Sequence, residues 1–161
     1  MRALFLLHGA PGSGKSTLIR DLGVEDLALG YDRFRELFSV DFPCFDEKQE
    51  WAQTLRMTPE AERTAVRAAH DALEARMAAG TTVFFDSTMS HAKDQATLVK
   101  LGKKYGYKTW LIDCQGQTSL KELLRRNASR ATGKVDEQAL AAIYENCAAK
   151  TFSPLLAGVL P

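Results

Sequence analysis

The sequence is poor in the features that would place it outside ordinary globular proteins. It has three cysteines in 161 residues, Cys44, Cys114 and Cys147, and no two are close together. An odd, scattered set supports neither a disulfide framework nor a C-x-x-C metal knuckle, and reads as the reduced thiols of a cytoplasmic protein. Charge of one sign is missing too: 21 Lys and Arg against 20 Asp and Glu leave a formal net charge of +1. So balanced a chain is not built to coat long nucleic acid, whose affinity comes from many phosphate contacts, although a few placed cations suffice to grip a strand end. No apolar run approaches the ~20 residues of a membrane span, and residues 1–7 lack the length and cleavage pattern of a signal peptide, so no membrane role is expected. There are no repeats and no low-complexity linker. The length suits one domain over residues 1–161.

What is present alternates between strand and helix patterns. Residues 3–8 (ALFLLH), 27–30, 81–85 (TTVFF) and 108–113 (KTWLID) are expected as buried strands. Helices are expected over 14–21, 32–38, 58–79, 91–105, 119–127 and 136–150. The clearest is 58–79, with Thr58 as cap, Pro59 at the first helical position and Gly80 as stop. Helix 119–127 opens on S-L-K-E, a capping-box pattern. The aromatic stretch 38–51 is expected as a loop with partial helix. This order predicts an α/β fold, a parallel sheet of about four strands flanked by helices, with ligands beyond the carboxyl ends of the strands.

Each strand end carries chemistry. After the first comes Gly9-Ala10-Pro11-Gly12-Ser13-Gly14-Lys15-Ser16-Thr17, which fits G-x-x-x-x-G-K-[ST] between a strand and a helix. Glycines let the backbone curl its N–H groups around phosphate oxygens, Lys15 reaches the β and γ phosphates of ATP, and Ser16 binds Mg²⁺. No N-K-x-D guanine-reading motif follows, and no adjacent pair of acids ends the third strand. These absences favour a P-loop kinase over a GTPase or motor.

The second strand end carries Asp32 and Arg35, three apart and therefore on one helical face, with Arg33 as a neighbouring competitor. A carboxylate there can orient a hydroxyl and take its proton, and an arginine can fork onto a phosphate. The bland alternative is a helix cap beside a surface charge. The third strand ends in Asp86-Ser87-Thr88, where Asp86 is a candidate for holding Mg²⁺ through water or for touching the acceptor. Arg126 and Arg130, four apart in R-N-A-S-R, suit an arginine-bearing helical lid of about 119–135. Arginine fingers of this kind accelerate phosphoryl transfer by about a thousandfold or more.

These residues resemble, in order and spacing, the kinase domain of the 5′-hydroxyl polynucleotide kinases of the phage and bacterial end-healing type. The Walker loop, the D-x-x-R of Asp32 and Arg35, the strand ending in D-S-T and the R-N-x-x-R of Arg126 to Arg130 carry the resemblance, over roughly residues 1–150. It implies transfer of the ATP γ-phosphate to the 5′-hydroxyl of DNA or RNA. Asp32 would be the general base, and Arg35 would bind the phosphate next to the terminal nucleoside. Asp86 or Ser87 would serve the acceptor, with Arg126 and Arg130 on the donor phosphates. Where the family often has D-x-T-N, this chain has Met89. Family members are often fused to phosphatase or ligase domains, for which this sequence has no room; any such partner is expected to be a separate protein.

Two rivals stand beside this reading. One is a P-loop kinase for a small-molecule hydroxyl (a nucleoside, sugar or antibiotic), laid out like zeta-toxin-like and chloramphenicol-phosphotransferase-like enzymes. The other is a nucleotide-binding regulatory module without catalysis. Phe38, Phe42, Phe45 and Trp51 are candidates for stacking on a base, with packing as the commoner use. Lys100, Lys103, Lys104 and Lys108 read as a solvated basic face, and His8, His70 and His91 show no ligand spacing. The apolar tail 151–161 offers a surface to the domain or to a second copy of the chain.

Overall fold

The computed structural model of the chain describes residues 2–45, 51–56, 58–116, 118–130 and 134–161, with the backbone alone over 40–45 and 51–56. The expected strands are β1 (Ala3–His8), β2 (Ala28–Gly30), β5 (Val83–Asp86) and β6 (Lys108–Asp113). The helices are α1 (Lys15–Asp21), α2 (Tyr31–Phe38), α3 (Pro59–Ala78), α4 (Ala92–Lys104), α5 (Leu120–Ala128) and α6 (Glu137–Ala148). Caps fix several ends as the sequence implies. Thr58 accepts from the Ala61 amide at 3.1 Å, Ser119 from Glu122 at 3.3 Å, and Asp136 from Gln138 and Ala139 at 3.0 Å.

The sheet is wholly parallel, in the order β2-β5-β1-β6-β7, where β7 is Gly158–Leu160, and buries β1 at its centre. Alternation along β1 divides the core. Leu4 and Leu6 pack with Val83, Phe85, Leu73 and Met77 of α3 and Leu98 of α4. On the opposite face Leu7 and Phe5 pack with Phe84, and with Ile19 and Leu18 of α1. A third cluster joins Ala10 of the glycine loop to Leu123 of α5 and to Leu140 and Cys147 of α6. The arginine-bearing segment is thus anchored directly over that loop. This is the α/β P-loop kinase fold.

Two elements differ from expectation. The sheet has a fifth strand, β7 (Gly158–Leu160), formed by the tail beside β6. Buried Gln95 guides the tail there: its amide donates to the carbonyls of Met89 and Thr151, and its oxygen accepts from the Ser153 amide at 2.7 Å. The stretch 38–51, expected as loop and partial helix, instead forms β3 (Val40–Phe45), which pairs antiparallel with β4 (Trp51–Arg56). Pro43 within β3 has no N–H to give to a ladder. In a two-stranded ladder both strands are edges, and an edge tolerates proline. The side chains of Phe42, Cys44, Phe45 and Trp51 lie outside the described residues.

Gly30 is where the sheet is tightest around the site. A Cβ there would lie 2.6 Å from the Asp86 carbonyl oxygen. Gly30→Ala should therefore destabilise the protein by about 2 kcal/mol, an overpacking cost against backbone that cannot rotate away. Urea unfolding monitored by circular dichroism measures it as a lower midpoint at unchanged slope.

Candidate functional site

A cleft of about 910 Å³ opens beyond the carboxyl ends of the strands. The sheet register builds it. Gly30 pairs with Asp86 and Leu7 pairs with Asp86 on its other side, so β2, β5 and β1 end level with one another. The chain then turns three ways: into α2 with Asp32, into Ser87 and Thr88, and into the glycine loop.

Gly12 and Gly14 take φ of 90° and 101°, conformations that side chains resist, and Gly14 is the N-cap of α1. No side chain caps that helix, so its first amides are left for a ligand. The loop is stitched down at three points: Gly9 N donates to Thr88 O at 3.1 Å, Ser13 N to Ala10 O at 3.0 Å, and Ala10 N to Gln115 Oε1 at 2.8 Å. Gln115 is buried, and its own backbone N–H donates to Asp113, which also accepts from His8 Nδ1 at 3.0 Å and pairs with Lys150 at 3.0 Å. The residue before the loop and the last residue of β6 therefore meet in one hydrogen-bonded support. Burial lowers the His8 pKa, against the pull of the Asp113 carboxylate.

Lys15 folds back on the loop, its ammonium donating to Gly9 O at 2.7 Å and Ala10 O at 3.2 Å. Burial lowers its pKa, against the pull of Asp86. Ser16 Oγ donates to Asp86 Oδ2 at 3.2 Å. Burial raises the Asp86 pKa, while Lys15 and Ser16 act the other way. A hydroxyl and a carboxylate this close are hard oxygen donors suited to Mg²⁺, which keeps waters and phosphate oxygens for its remaining positions. Among the described residues no group of three or more His, Cys, Asp or Glu forms an all-protein metal cage.

Arg126 Nη1 donates to Gly12 O at 2.8 Å, and Arg126 Nε to Glu122 at 2.7 Å. Arg130 lines the same cleft, within 4.0 Å of where a Gly12 Cβ would stand. Between them Asn127 is buried and makes a two-way clip, its amide donating to Val135 O at 2.7 Å and its oxygen accepting from Val135 N at 2.9 Å. The asparagine of R-N-x-x-R thus ties the end of α5 to Val135.

At the other end Asp32 lies in the first turn of α2, two residues beyond the cap position held by Gly30, with its side chain 91% exposed. Arg35 Nη1 donates to Asp32 at 2.8 Å. Its Nε and Nη2 fork onto Glu62 of α3, the shortest contact being 2.6 Å. These hydrogen bonds raise the Arg35 pKa and lower that of Glu62. Arg33 does not line the cleft. Glu62 and Gln115 escaped sequence reasoning: neither sits in a motif, and both act on partners far away in the chain. Met89 lies at φ 46° with its side chain buried in the core, so position 89 offers packing where the family pattern has an amide. Cys114 and Cys147 are free thiols with pKa raised to about 11 by burial.

A family described as an AAA domain (AAA_33) matches residues 4–150. The chain belongs to this AAA-domain family. Among solved structures it is similar to a candidate kinase from Chloroflexus aurantiacus J-10-fl, at 20% identity and TM-score 0.68, covering 99% of this chain and 83% of that one. A chain of the Pnkp1/Rnl/Hen1 RNA repair complex is 23% identical at TM-score 0.68, over 92% of this chain and 44% of the other. A sugar kinase from Janibacter sp. HTCC2649 is 16% identical at TM-score 0.59, over 99% and 85%. No curated protein matches. At these identities the likeness establishes the fold, which is that of a nucleotide-binding P-loop kinase. No described helix is long and apolar enough to cross a membrane.

Gln115→Met keeps the bulk but removes the acceptor from the buried Ala10 amide. An orphaned buried donor costs about 1–3 kcal/mol, so the loop should shift and nucleotide affinity should fall by roughly tenfold. Isothermal titration with ATP reads this directly.

Proposed function

We propose that the protein transfers the γ-phosphate of ATP to the 5′-hydroxyl of a DNA or RNA strand. One observation carries the reading: a single cleft is lined by a phosphate-cradling loop with Lys15, Arg126 and Arg130, and by Asp32 and Arg35, the latter braced by Glu62 of α3. The D-x-x-R and R-N-x-x-R patterns support the polynucleotide acceptor, as does the likeness to a chain of an RNA repair complex.

In this reading the loop amides of 9–17 and Lys15 hold the donor phosphates. Lys15 exchanges its contacts to Gly9 and Ala10 for phosphate oxygens. Ser16 and Asp86 would hold Mg²⁺, which when bound offsets charge on the donor phosphates. The acceptor oxygen attacks the γ-phosphorus, its new P–O bond forming as the bond to the β–γ bridging oxygen breaks. The hydroxyl proton passes to Asp32, whose second carboxylate oxygen is left by the Arg35 contact to Oδ1. Arg126 and Arg130 stabilise charge on the transferring group, as Arg126 is already tethered to the loop by Gly12. Arg35 has five N–H groups and three are engaged, leaving two for an acceptor phosphate beside the reacting end. Ser87 and Thr88 line the acceptor side with hydroxyls. The principal alternative, a small-molecule hydroxyl acceptor, draws support from the likeness to a sugar kinase.

Radiolabelled ATP offered with 5′-hydroxyl oligonucleotides, free nucleosides and sugars separates these readings: label entering only the oligonucleotides is expected, and label entering only the small acceptors overturns the proposal. Asp32→Ala should lower transfer by about 10²–10⁴-fold, the usual worth of a positioned base, with ATP affinity unchanged. Normal turnover in that variant would remove Asp32 from the role. Glu62→Ala should raise KM for the oligonucleotide about tenfold while KM for ATP stays put, because Arg35 loses its bidentate brace.

A further inference from the structure

A second, smaller cavity of about 290 Å³ adjoins the acceptor end of the cleft, sharing Tyr31, Arg35, Ser87, Thr88 and Asp94 with it. No residue given a role in transfer by the strand-end motifs, apart from Arg35, Ser87 and Thr88, lies on it. Val66 of α3, Met89 and Leu98 of α4 supply its apolar lining. Two rings supply more: Tyr31, packed edge-on against Phe85 with centroids 5.0 Å apart, and His70, which is hydrogen-bonded to the Tyr31 hydroxyl at 2.9 Å. The rings are therefore fixed in place before any ligand arrives. Such a space, mostly apolar with a few polar groups at its edge, takes a flat heterocycle well.

The polar edge has a definite sense. Asp94, in the first turn of α4, is exposed and its carboxylate accepts from nothing among the described residues. The Thr97 hydroxyl already donates its proton to Lys93 O at 3.1 Å, so toward a ligand it can only accept. Both groups ask for donors. Guanine presents an amino group beside a ring N–H on one edge. Adenine and cytosine present an amino group alone. Uracil and thymine flank their one N–H with carbonyl oxygens that a carboxylate repels.

Resting on the polynucleotide kinase reading, we infer that this cavity is a subsite for the base of the acceptor's 5′-terminal nucleotide, and that Asp94 and Thr97 select bases carrying an amino group, guanine foremost. The sugar hydroxyl then reaches Asp32 because the base is seated beside Arg35. A good bidentate contact of this type discriminates by about tenfold or somewhat more.

The test uses the full chain, labelled ATP and otherwise identical 5′-hydroxyl oligonucleotides ending in G, A, C, U or an abasic sugar. The expected result is a kcat/KM about tenfold higher for the G end than for the U end, with the abasic end lowest. Val66→Phe, which fills the cavity, should bring the G end down to the abasic rate. Asp94→Asn, a change at an exposed position that will not unfold the protein, should shrink the G-to-U ratio at least threefold. Equal rates for all five ends would overturn the subsite and leave the kinase reading standing. Absence of label in any oligonucleotide, with label in a free nucleoside or sugar, would overturn the parent reading and the subsite with it.

Discussion

The site depends on the parallel pairing of β1 with β5. That pairing sets Leu7 opposite Asp86, and the strand ends then lock through Gly9 N to Thr88 O. Only with this register does the first turn of α1 bring Ser16 to within 3.2 Å of the Asp86 carboxylate. Side chains alternate along a strand, so a slip of one residue would carry Asp86 to the opposite face and leave the loop facing a neighbour without a charge. The pairing of Gly30 with Asp86 extends the constraint to β2. Asp32 follows two residues later, and the absence of a Cβ at Gly30 lets the strands close around that carbonyl. The glycine loop, Asp86 and the start of α2 with Asp32 are thus aligned by the sheet itself.

Much of this was legible because it is local. The run ALFLLH, the caps Thr58 and Ser119, and the glycine loop are each dictated by residues within a few positions of themselves. The spacing of Asp32 and Arg35 correctly put the two on one face, where they hydrogen-bond at 2.8 Å. What escaped were features that exist only after the chain has folded. β7 is a strand because Ala157 N reaches Thr109 O at 2.8 Å and Gln95 holds the segment before it. The hairpin of β3 and β4 is written in mutual pairing, which a single stretch containing Pro43 does not advertise. Glu62 lies in an ordinary acidic first turn of α3, and nothing nearby in sequence points across to Arg35, 27 residues earlier. Gln115 reaches the Ala10 amide from 105 residues away.

The electrostatics of the two ends differ in kind. Around the glycine loop the cations rest largely on carbonyl oxygens: Lys15 donates to Gly9 O and Ala10 O, and Arg126 divides itself between Gly12 O and a Glu122 already shared with Arg125. Carbonyls are weaker partners than phosphate oxygens for an ionised donor, so the exchange toward a triphosphate is downhill. At the acceptor end the balance is reversed. Arg35 faces two carboxylates, Asp32 and Glu62, and their sum with it is negative.

That excess of negative charge bears on how an anionic acceptor would be recognised. A polynucleotide drawn in by long-range attraction would need a field of unpaired cations along its path, and a chain with formal net charge +1 and an acceptor mouth of this composition does not supply one. What Arg35 offers instead is direction. With three N–H groups spent on fixed carboxylates and its side chain 40% exposed, the guanidinium is held in one plane with two donors left over. The entropy of ordering a long side chain is spent at folding, before any acceptor arrives. A phosphate placed correctly beside the terminal nucleoside would gain oriented hydrogen bonds, whereas one placed elsewhere along a strand would meet carboxylates. Such an arrangement would trade overall affinity for discrimination of a strand end, and it shows how a carboxylate 91% exposed at Asp32 is still aimed: its neighbour, not its burial, holds it in place.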